Sequence, residues 1–213
     1  LFSGNLGVVL AIFMGTMLAR WLDLREAGEL LLPLTAAQIL WMNLVTDGPP
    51  AVAFALTPPA GSIMDQPPRD PQAPIVSRAM WGYIMITGAS VAMLLLAVLD
   101  ALHAGGLFTL EACGAAYARS AGLFTVVSAR LWNAINFNVL PATLFSREGW
   151  RHRAVPMAAV ASWLLTLLVI QWEAAGRLLG VVPLAPAHIA AMTLFASLVL
   201  VPGWLMQRWC HQK

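Results

Sequence analysis

The residue that most strongly suggests chemistry is Asp47, a carboxylate near the middle of an apolar stretch covering residues 36–56. That stretch is long enough to cross a membrane, and a carboxylate at mid-bilayer costs about 3 kcal/mol or more unless a partner pairs with it. Asn43 lies four residues before Asp47 and Thr46 directly precedes it, so a regular helix places the three side chains together. Oxygen ligands of this kind suit a hard cation.

The tripeptide Gly48-Pro49-Pro50 follows directly and should interrupt the helix. Proline has no backbone N–H, so it leaves carbonyl oxygens of the preceding turn without their usual donors. Free carbonyls beside a broken membrane helix are typical of ion sites in transporters. The sequence therefore predicts a cation site at this break.

The composition indicates an integral membrane protein. Of the 213 residues, 60% are hydrophobic and only 10% are charged, whereas soluble domains carry about 25% charged residues. The net charge of +2 is too small to favour a nucleic-acid partner. Cys113 and Cys210 lie far apart in the sequence and predict neither a disulfide nor a zinc site. Because the chain starts at Leu1 without a signal peptide, we expect it to be the C-terminal part of something longer.

We predict an all-α membrane protein with six transmembrane helices, at about residues 2–18, 36–56, 80–99, 120–140, 155–172 and 188–206. The proline-rich segment 57–79 is predicted to be a cytosolic loop, either a plain linker or a docking strap. Residues 23–29 are expected to form a short polar hairpin outside the cell. Seven basic residues lie on the side of the proline-rich loop and four on the other, so both termini are expected in the cytoplasm.

Three stretches together resemble the P-type calcium ATPases. Residues 38–50, QILWMNLVTDGPP, are similar to the sixth transmembrane helix of these pumps, and residues 63–69, IMDQPPR, to the cytosolic loop that follows it. Residues 130–136, RLWNAIN, look like the eighth helix. The resemblance implies that the chain is the C-terminal half of the transport domain, helices five to ten. The phosphorylation motif and nucleotide-binding domain of the family are not in this sequence, so we expect the chain alone to be inactive as an ATPase.

The resemblance also implies which residues hold the transported ion. Asn43 and Asp47 match ligands of one calcium site, and Thr46 and Asp47 match ligands of a second site, with Asp47 shared between them. Asn5 falls where the fifth helix of the family supplies an asparagine ligand. Ca²⁺ is then the transported ion, whereas Mg²⁺ and ATP would act only through domains outside this chain.

Two residues depart from the pattern of the two-site pumps. Val8 stands where these pumps have a glutamate ligand, and Arg130 stands where they have a carboxylate from the eighth helix. Arg130 lies about ten residues from either end of its span, and its guanidinium stays charged there. Its similarity to the arginine of bacterial one-calcium pumps implies that Arg130 fills the second site and leaves one calcium ion per cycle. Pairing with Asp47, or with carbonyls near the break, would lower the cost of burying it.

Other functions remain open from sequence alone. The same fold would suit Mn²⁺, Mg²⁺, Na⁺ or H⁺, because the spacing of oxygen ligands in the sequence does not distinguish one of these cations from another. A secondary transporter or accessory membrane protein acting without ATP is also compatible with a broken, charged helix. The expected partners are the lipid bilayer and the N-terminal remainder of the same pump. One lysine against eleven arginines suggests a GC-rich bacterial source, and hence the bacterial plasma membrane.

Overall fold

Helices account for most of what the computed structural model describes, which is residues 2–18, 25–26, 29–30, 32–56, 74, 76–103, 106–139, 153–202 and 204. The first elements are α1 (Phe2–Leu18), the antiparallel strands β1 (Arg25–Glu26) and β2 (Glu29–Leu30), α2 (Ala36–Trp41), a π-helical segment (Met42–Thr46) and α3 (Gly48–Ala55). The later elements are α4 (Arg78–Leu102), α5 (Ala115–Val139), α6 (Ala154–Gln171), α7 (Glu173–Leu179), α8 (Pro186–Ala196) and a 3₁₀ turn (Ser197–Val199).

Helix α5 lies at the centre of the described part and packs against α4, α6 and α8. Helix α1 packs along α4, and α3 packs against α6. Small residues let α5 approach its neighbours closely, as membrane helices commonly do. A Cβ added at Gly122 would lie 2.6 Å from Cδ1 of Leu95, so only glycine permits this contact between α4 and α5.

Within the described residues, two helices are both long and apolar enough to cross a membrane: Met80–Leu102 and Ala154–Gln171. The apolar helices Phe2–Leu18 and Pro186–Pro202 are shorter. Helix α5 has 25 residues, but it carries Arg119 and Arg130 among several polar side chains. The second predicted span is not one continuous α-helix, because the π-helical segment interrupts it. The structure therefore agrees with a helical membrane domain, and the number of six spans stays a prediction.

The helices lie close to the segments expected from hydrophobicity, with two differences, and the expected hairpin is present in part. Helix α4 begins at Arg78, inside the segment 57–79 that was assigned to a loop; residues 57–73 and 75 lie outside the described part. The strands β1 and β2 form part of the expected hairpin. Helix α7 was not predicted, since its seven residues fall between two apolar segments. It ends at Gly180, whose φ of 62° is the left-handed conformation that commonly terminates helices.

A capping box starts α2 and fixes the entry to the interrupted helix. The hydroxyl of Thr35 accepts a hydrogen bond from the backbone N–H of Gln38, and the side-chain oxygen of Gln38 accepts one from the N–H of Thr35. The amide Nε2 of Gln38 donates to the carbonyl of Leu179 at 3.2 Å, which ties α2 to the end of α7.

We expect Thr35→Ala to lower the free energy of unfolding of the complete protein by about 1 kcal/mol, because it removes one half of this capping box. A denaturant titration in detergent, followed by circular dichroism, measures the change. Thr16→Ala is the matched control, since the Thr16 hydroxyl is exposed and donates only to its own helix at Phe13. Its effect should stay within about 0.5 kcal/mol. Equal effects of the two substitutions would contradict the role of the box.

Candidate ion-binding site

The interruption of the second predicted span takes an unexpected form. The backbone N–H of Asp47 donates to the carbonyl of Met42 at 2.9 Å, five residues back, so the chain makes one wide turn before Gly48. An α-helix resumes at Gly48 with Pro49 and Pro50 in its first turn, where proline is tolerated. The α-helix is therefore already broken ahead of the prolines, which corrects the expectation that Gly48-Pro49-Pro50 makes the break. Such π-helical turns are frequent at functional sites.

Pro49 and Pro50 have no N–H to offer to the carbonyl oxygens of the preceding turn. In a regular helix the carbonyls of Val45 and Thr46 would accept from residues 49 and 50, and both are prolines without an N–H. These two oxygens therefore lie beside Asp47 without their usual donors. Backbone oxygens in this position are suitable ligands for a hard cation.

The wide turn separates the three side chains that a regular helix would place together. Thr46 and Asp47 are buried, whereas Asn43 is exposed. The sequence-based expectation assumed α-helical geometry, and the hydrogen bond over five residues changes the angle between successive side chains. Thr46 and Asp47 thus lie towards the interior of the described part, and Asn43 lies at its surface.

Asp47 and Arg130 form a buried ion pair that joins the broken helix to α5. Nη1 of Arg130 lies 2.5 Å from Oδ2 of Asp47, and the two side chains are only 7% and 10% exposed. Nη2 of Arg130 donates to Oδ1 of Asn5 on α1 at 2.8 Å. The guanidinium therefore bridges three elements: α1, the break and α5. The ion pair predicted for Arg130 is confirmed, with Asp47 as its partner.

The shape of the arginine head group explains why this arrangement forms. A planar guanidinium presents several N–H donors in a fixed fork, so it can serve a carboxylate and an amide oxygen at once. Removing one charge of a buried pair leaves the other without a counter-charge, and this lowers stability by about 3–5 kcal/mol. Arg130 contacts the carboxylate of Asp47 through one of its two oxygens, Oδ2. The ion pair therefore does not use both oxygens of Asp47.

A small cavity of about 30 Å³ lies against this pair. Its polar wall is formed by Thr46, Asp47, Arg130 and Asn133, with apolar residues such as Phe54 on the other side. Oγ1 of Thr46 and Nε of Arg130 are buried without a hydrogen-bond partner in the described part of the chain. A cavity needs roughly 10–15 Å³ to hold one water molecule. The space therefore fits a water molecule or a single dehydrated ion.

The remaining predicted site residues lie on α1 and differ in their surroundings. Asn5 reaches the guanidinium through its side-chain oxygen. Val8 is 4% exposed and belongs to the apolar core, so it brings no ligand to the site. No group of three or more His, Cys, Asp or Glu side chains that would hold a metal occurs among the described residues. Among the described residues that line the cavity, Asp47 is the carboxylate, and Thr46 and Asn133 bring neutral oxygen atoms.

Sequence reasoning missed two residues beside Arg130. The phenol O–H of Tyr83 on α4 donates to Oδ1 of Asn133 at 2.7 Å, and Nδ2 of Asn133 donates to Oγ of Ser3 on α1 at 3.3 Å. Asn133 lies three residues after Arg130 on α5 and thus links α5 to both α4 and α1. Tyr83 and Ser3 gave no comparable signal, because neutral polar residues are common in membrane helices.

Comparison with known proteins gives this geometry a context. Residues 31–209 match the family described as "Cation transporting ATPase, C-terminus". The chain belongs to this C-terminal region of the P-type cation-transporting ATPases. It is similar to a calcium-transporting ATPase of Bacillus subtilis (strain 168), with 28% identity over 208 residues, which cover 97% of this chain. The same match covers 20% of the relative, so this ATPase region spans about a fifth of its length.

Proposed function

We propose that this ATPase region supplies the C-terminal half of the transport domain of an ATP-driven calcium pump. Membership of the cation-transporting ATPases supports ATP-driven transport over a transporter that acts without ATP. The name of the Bacillus relative supports calcium as the ion. Because the chain covers only a fifth of that relative, ATP, Mg²⁺ and the phosphorylation step would belong to the N-terminal remainder of the pump.

The proposed site binds one calcium ion per cycle through Asn43 and Asp47, together with groups from the remainder of the pump. The observation that carries the stoichiometry is the position of the Arg130 guanidinium between Asp47 and Asn5. A permanent positive charge there repels a second cation and uses two of the oxygens that such a cation would need. Val8, buried in the apolar core, offers no replacement ligand. Both features act against the same second site.

The exposure of Asn43 supports a shared site. Its side chain lies at the surface of the described part, one turn from Asp47. A neutral amide at the surface of a membrane helix gains from a partner on another helix. Under this proposal, helices from the N-terminal remainder cover this face and complete the ligand set. Thr46 contributes through its hydroxyl, which has no other partner among the described residues.

Arg130 would also balance charge during the cycle. When calcium leaves, Asp47 becomes an unpaired carboxylate in a region of low dielectric, which is costly. The Arg130 guanidinium lies within 2.5 Å and neutralises it without a proton from solution. Calcium and Arg130 then alternate as the counter-charge of Asp47. The arginine acts as a built-in counter-ion.

The proposed topology follows from the same role. Six spans, with the segment 57–79 and both termini in the cytoplasm, agree with the distribution of basic residues. The expected location is the bacterial plasma membrane, as an integral part of the complete pump. Proteolysis of the segment 57–79 in inside-out vesicles but not in whole cells would support this orientation, and the reverse pattern would contradict it.

Transport by the complete pump tests the function directly. Inside-out vesicles should take up radioactive calcium only when ATP is present, with one calcium ion for each ATP hydrolysed. A ratio of two would contradict the role of Arg130 in filling the second site. Uptake of Mn²⁺, Mg²⁺ or Na⁺ in place of calcium would assign the same site to a different ion. Calcium movement that does not depend on ATP would contradict the pump itself.

A further inference from the structure

Arg130 is held by more than its ion pair, because the residues next to it form a second set of hydrogen bonds. Arg130 and Asn133 lie three residues apart, on one face of α5. Asn133 donates to Ser3 on α1 and accepts from Tyr83 on α4, at 3.3 and 2.7 Å. One face of α5 therefore binds α1 twice, through Arg130 to Asn5 and through Asn133 to Ser3.

Gly4 brings the backbone of α1 directly against the guanidinium. A Cβ added at Gly4 would lie 3.1 Å from Nε of Arg130 and 3.4 Å from its Cγ, closer than side chains normally pack. The two residues that bond to α5, Ser3 and Asn5, flank this glycine. Helix α1 packs along α4, and one hydrogen bond on each side of Gly4 links it in addition to α5.

We propose that Asn133, oriented by the hydroxyl of Tyr83, is a positioning residue that keeps the Asn5 amide in place for Arg130 when Asp47 binds the transported ion. This inference rests on the proposed function, in which Arg130 and calcium compete for Asp47. When calcium takes the carboxylate, the guanidinium keeps its charge and needs another oxygen within reach. Asn5 supplies that oxygen while the bond between Asn133 and Ser3 holds the start of α1 against α5.

The orientation of the Asn133 amide depends on Tyr83. The phenol O–H donates to the amide oxygen, and the amide nitrogen donates to Ser3. Without the hydroxyl, the amide loses the bond that selects this orientation, and its link to α1 weakens. Arg130 would then remain paired with Asp47 for more of the time. Calcium would therefore compete less well for the Asp47 carboxylate.

Tyr83→Phe in the complete pump tests the role of the hydroxyl while keeping the ring. We expect the calcium concentration for half-maximal ATP-dependent uptake to rise about threefold to tenfold. The maximal rate and the calcium transported per ATP should stay unchanged. Ser3→Ala should change the calcium requirement in the same direction, because it removes the acceptor on α1. Tyr117→Phe is the matched control: its hydroxyl also makes a 2.7 Å bond, to Nδ1 of His188, far along α5 from Arg130.

The Arg130→Ala background separates positioning from general support of the fold. There, Tyr83→Phe should cause no further change in the calcium requirement, because the residue being positioned is gone. A shift of the same size in both backgrounds, or with Tyr117→Phe, would overturn the inference. So would an unshifted calcium requirement in Tyr83→Phe while the unsubstituted pump transports normally.

The thermal unfolding midpoint keeps the test independent of calcium transport. Tyr83→Phe should lower the midpoint of the complete protein, and this decrease should be smaller in the Arg130→Ala background, because the part that acts through Arg130 is then absent. If the unsubstituted protein takes up no calcium, the proposed function fails, and this unfolding comparison still decides whether Tyr83 acts through Arg130. An equal decrease in both backgrounds would overturn the positioning role as well.

Discussion

Asp47→Asn is expected to lower ATP-dependent calcium uptake by the complete pump at least about 100-fold, equivalent to about 2.7 kcal/mol or more. Asparagine has almost the same shape, but it removes the negative charge and replaces one ligand oxygen with an N–H donor. Ligand charge strongly sets the affinity of oxygen sites for calcium. The amide also leaves Arg130 buried without its carboxylate partner, now 2.5 Å away. Both effects act against calcium binding.

The measurement is calcium uptake per amount of folded pump, because loss of the ion pair also lowers stability. Size-exclusion chromatography gives the folded fraction, and direct binding of radioactive calcium in detergent reports affinity without the rest of the cycle. Asp47→Glu keeps the charge and should retain more binding than Asp47→Asn. Near-normal uptake by Asp47→Asn would refute the assignment of Asp47 as an ion ligand.

Asp100→Asn provides a matched control on a second buried carboxylate. Asp100 lies near the end of α4 and is 5% exposed, but its oxygens accept from the backbone N–H groups of Leu107 and Phe108, at 2.8 and 2.9 Å. It holds the loop after α4 and lies outside the candidate ion site. We expect Asp100→Asn to lower stability while leaving the calcium requirement unchanged.

The helices were predictable because hydrophobicity alone largely determines where a membrane chain is helical. The bounds of α1 and α6 follow almost directly from their apolar segments. The wide turn at Met42–Thr46 was not predictable, since it depends on which hydrogen bonds the chain makes ahead of Pro49. Helix α7 was missed for a different reason: it is short and lies in a connection that carries no strong apolar pattern.

The sequence predicts the candidate site at the positions where a charged side chain lies within an apolar segment, because burying a charge there costs free energy. Asp47 and Arg130 both stand out in this way, and their pairing follows from the need to compensate each other. Tyr83 and Ser3 do not stand out, because hydrogen bonds between neutral side chains in membranes contribute only about 0.6 kcal/mol on average. The exposure of Asn43 also escaped prediction, since it depends on the local departure from α-helical geometry.

Arg130→Ala is expected to make calcium transport dependent on pH, with a rate at pH about 8 that is roughly tenfold below the rate at pH about 6. In the unsubstituted protein the guanidinium neutralises Asp47 at any pH, because it does not deprotonate. With alanine, the empty carboxylate must either remain an uncompensated anion or take up a proton. Protons become scarcer as pH rises, so the step after calcium release slows. The same substitution should lower the free energy of unfolding by about 3–5 kcal/mol.

Uptake measured across this pH range, normalised to folded pump, decides between a counter-ion and a structural role for Arg130. Arg130→Lys keeps the charge and should keep the flat pH dependence, although an ammonium cannot reproduce the fork that serves both Asp47 and Asn5. Arg177→Ala is the matched control, since Arg177 makes an exposed pair with Glu173 whose loss should have little effect. If Arg130→Ala transports with the same pH dependence as the unsubstituted pump, the guanidinium does not replace a counter-transported proton. If Arg130→Lys is as sensitive to pH as Arg130→Ala, geometry matters more than charge at this position.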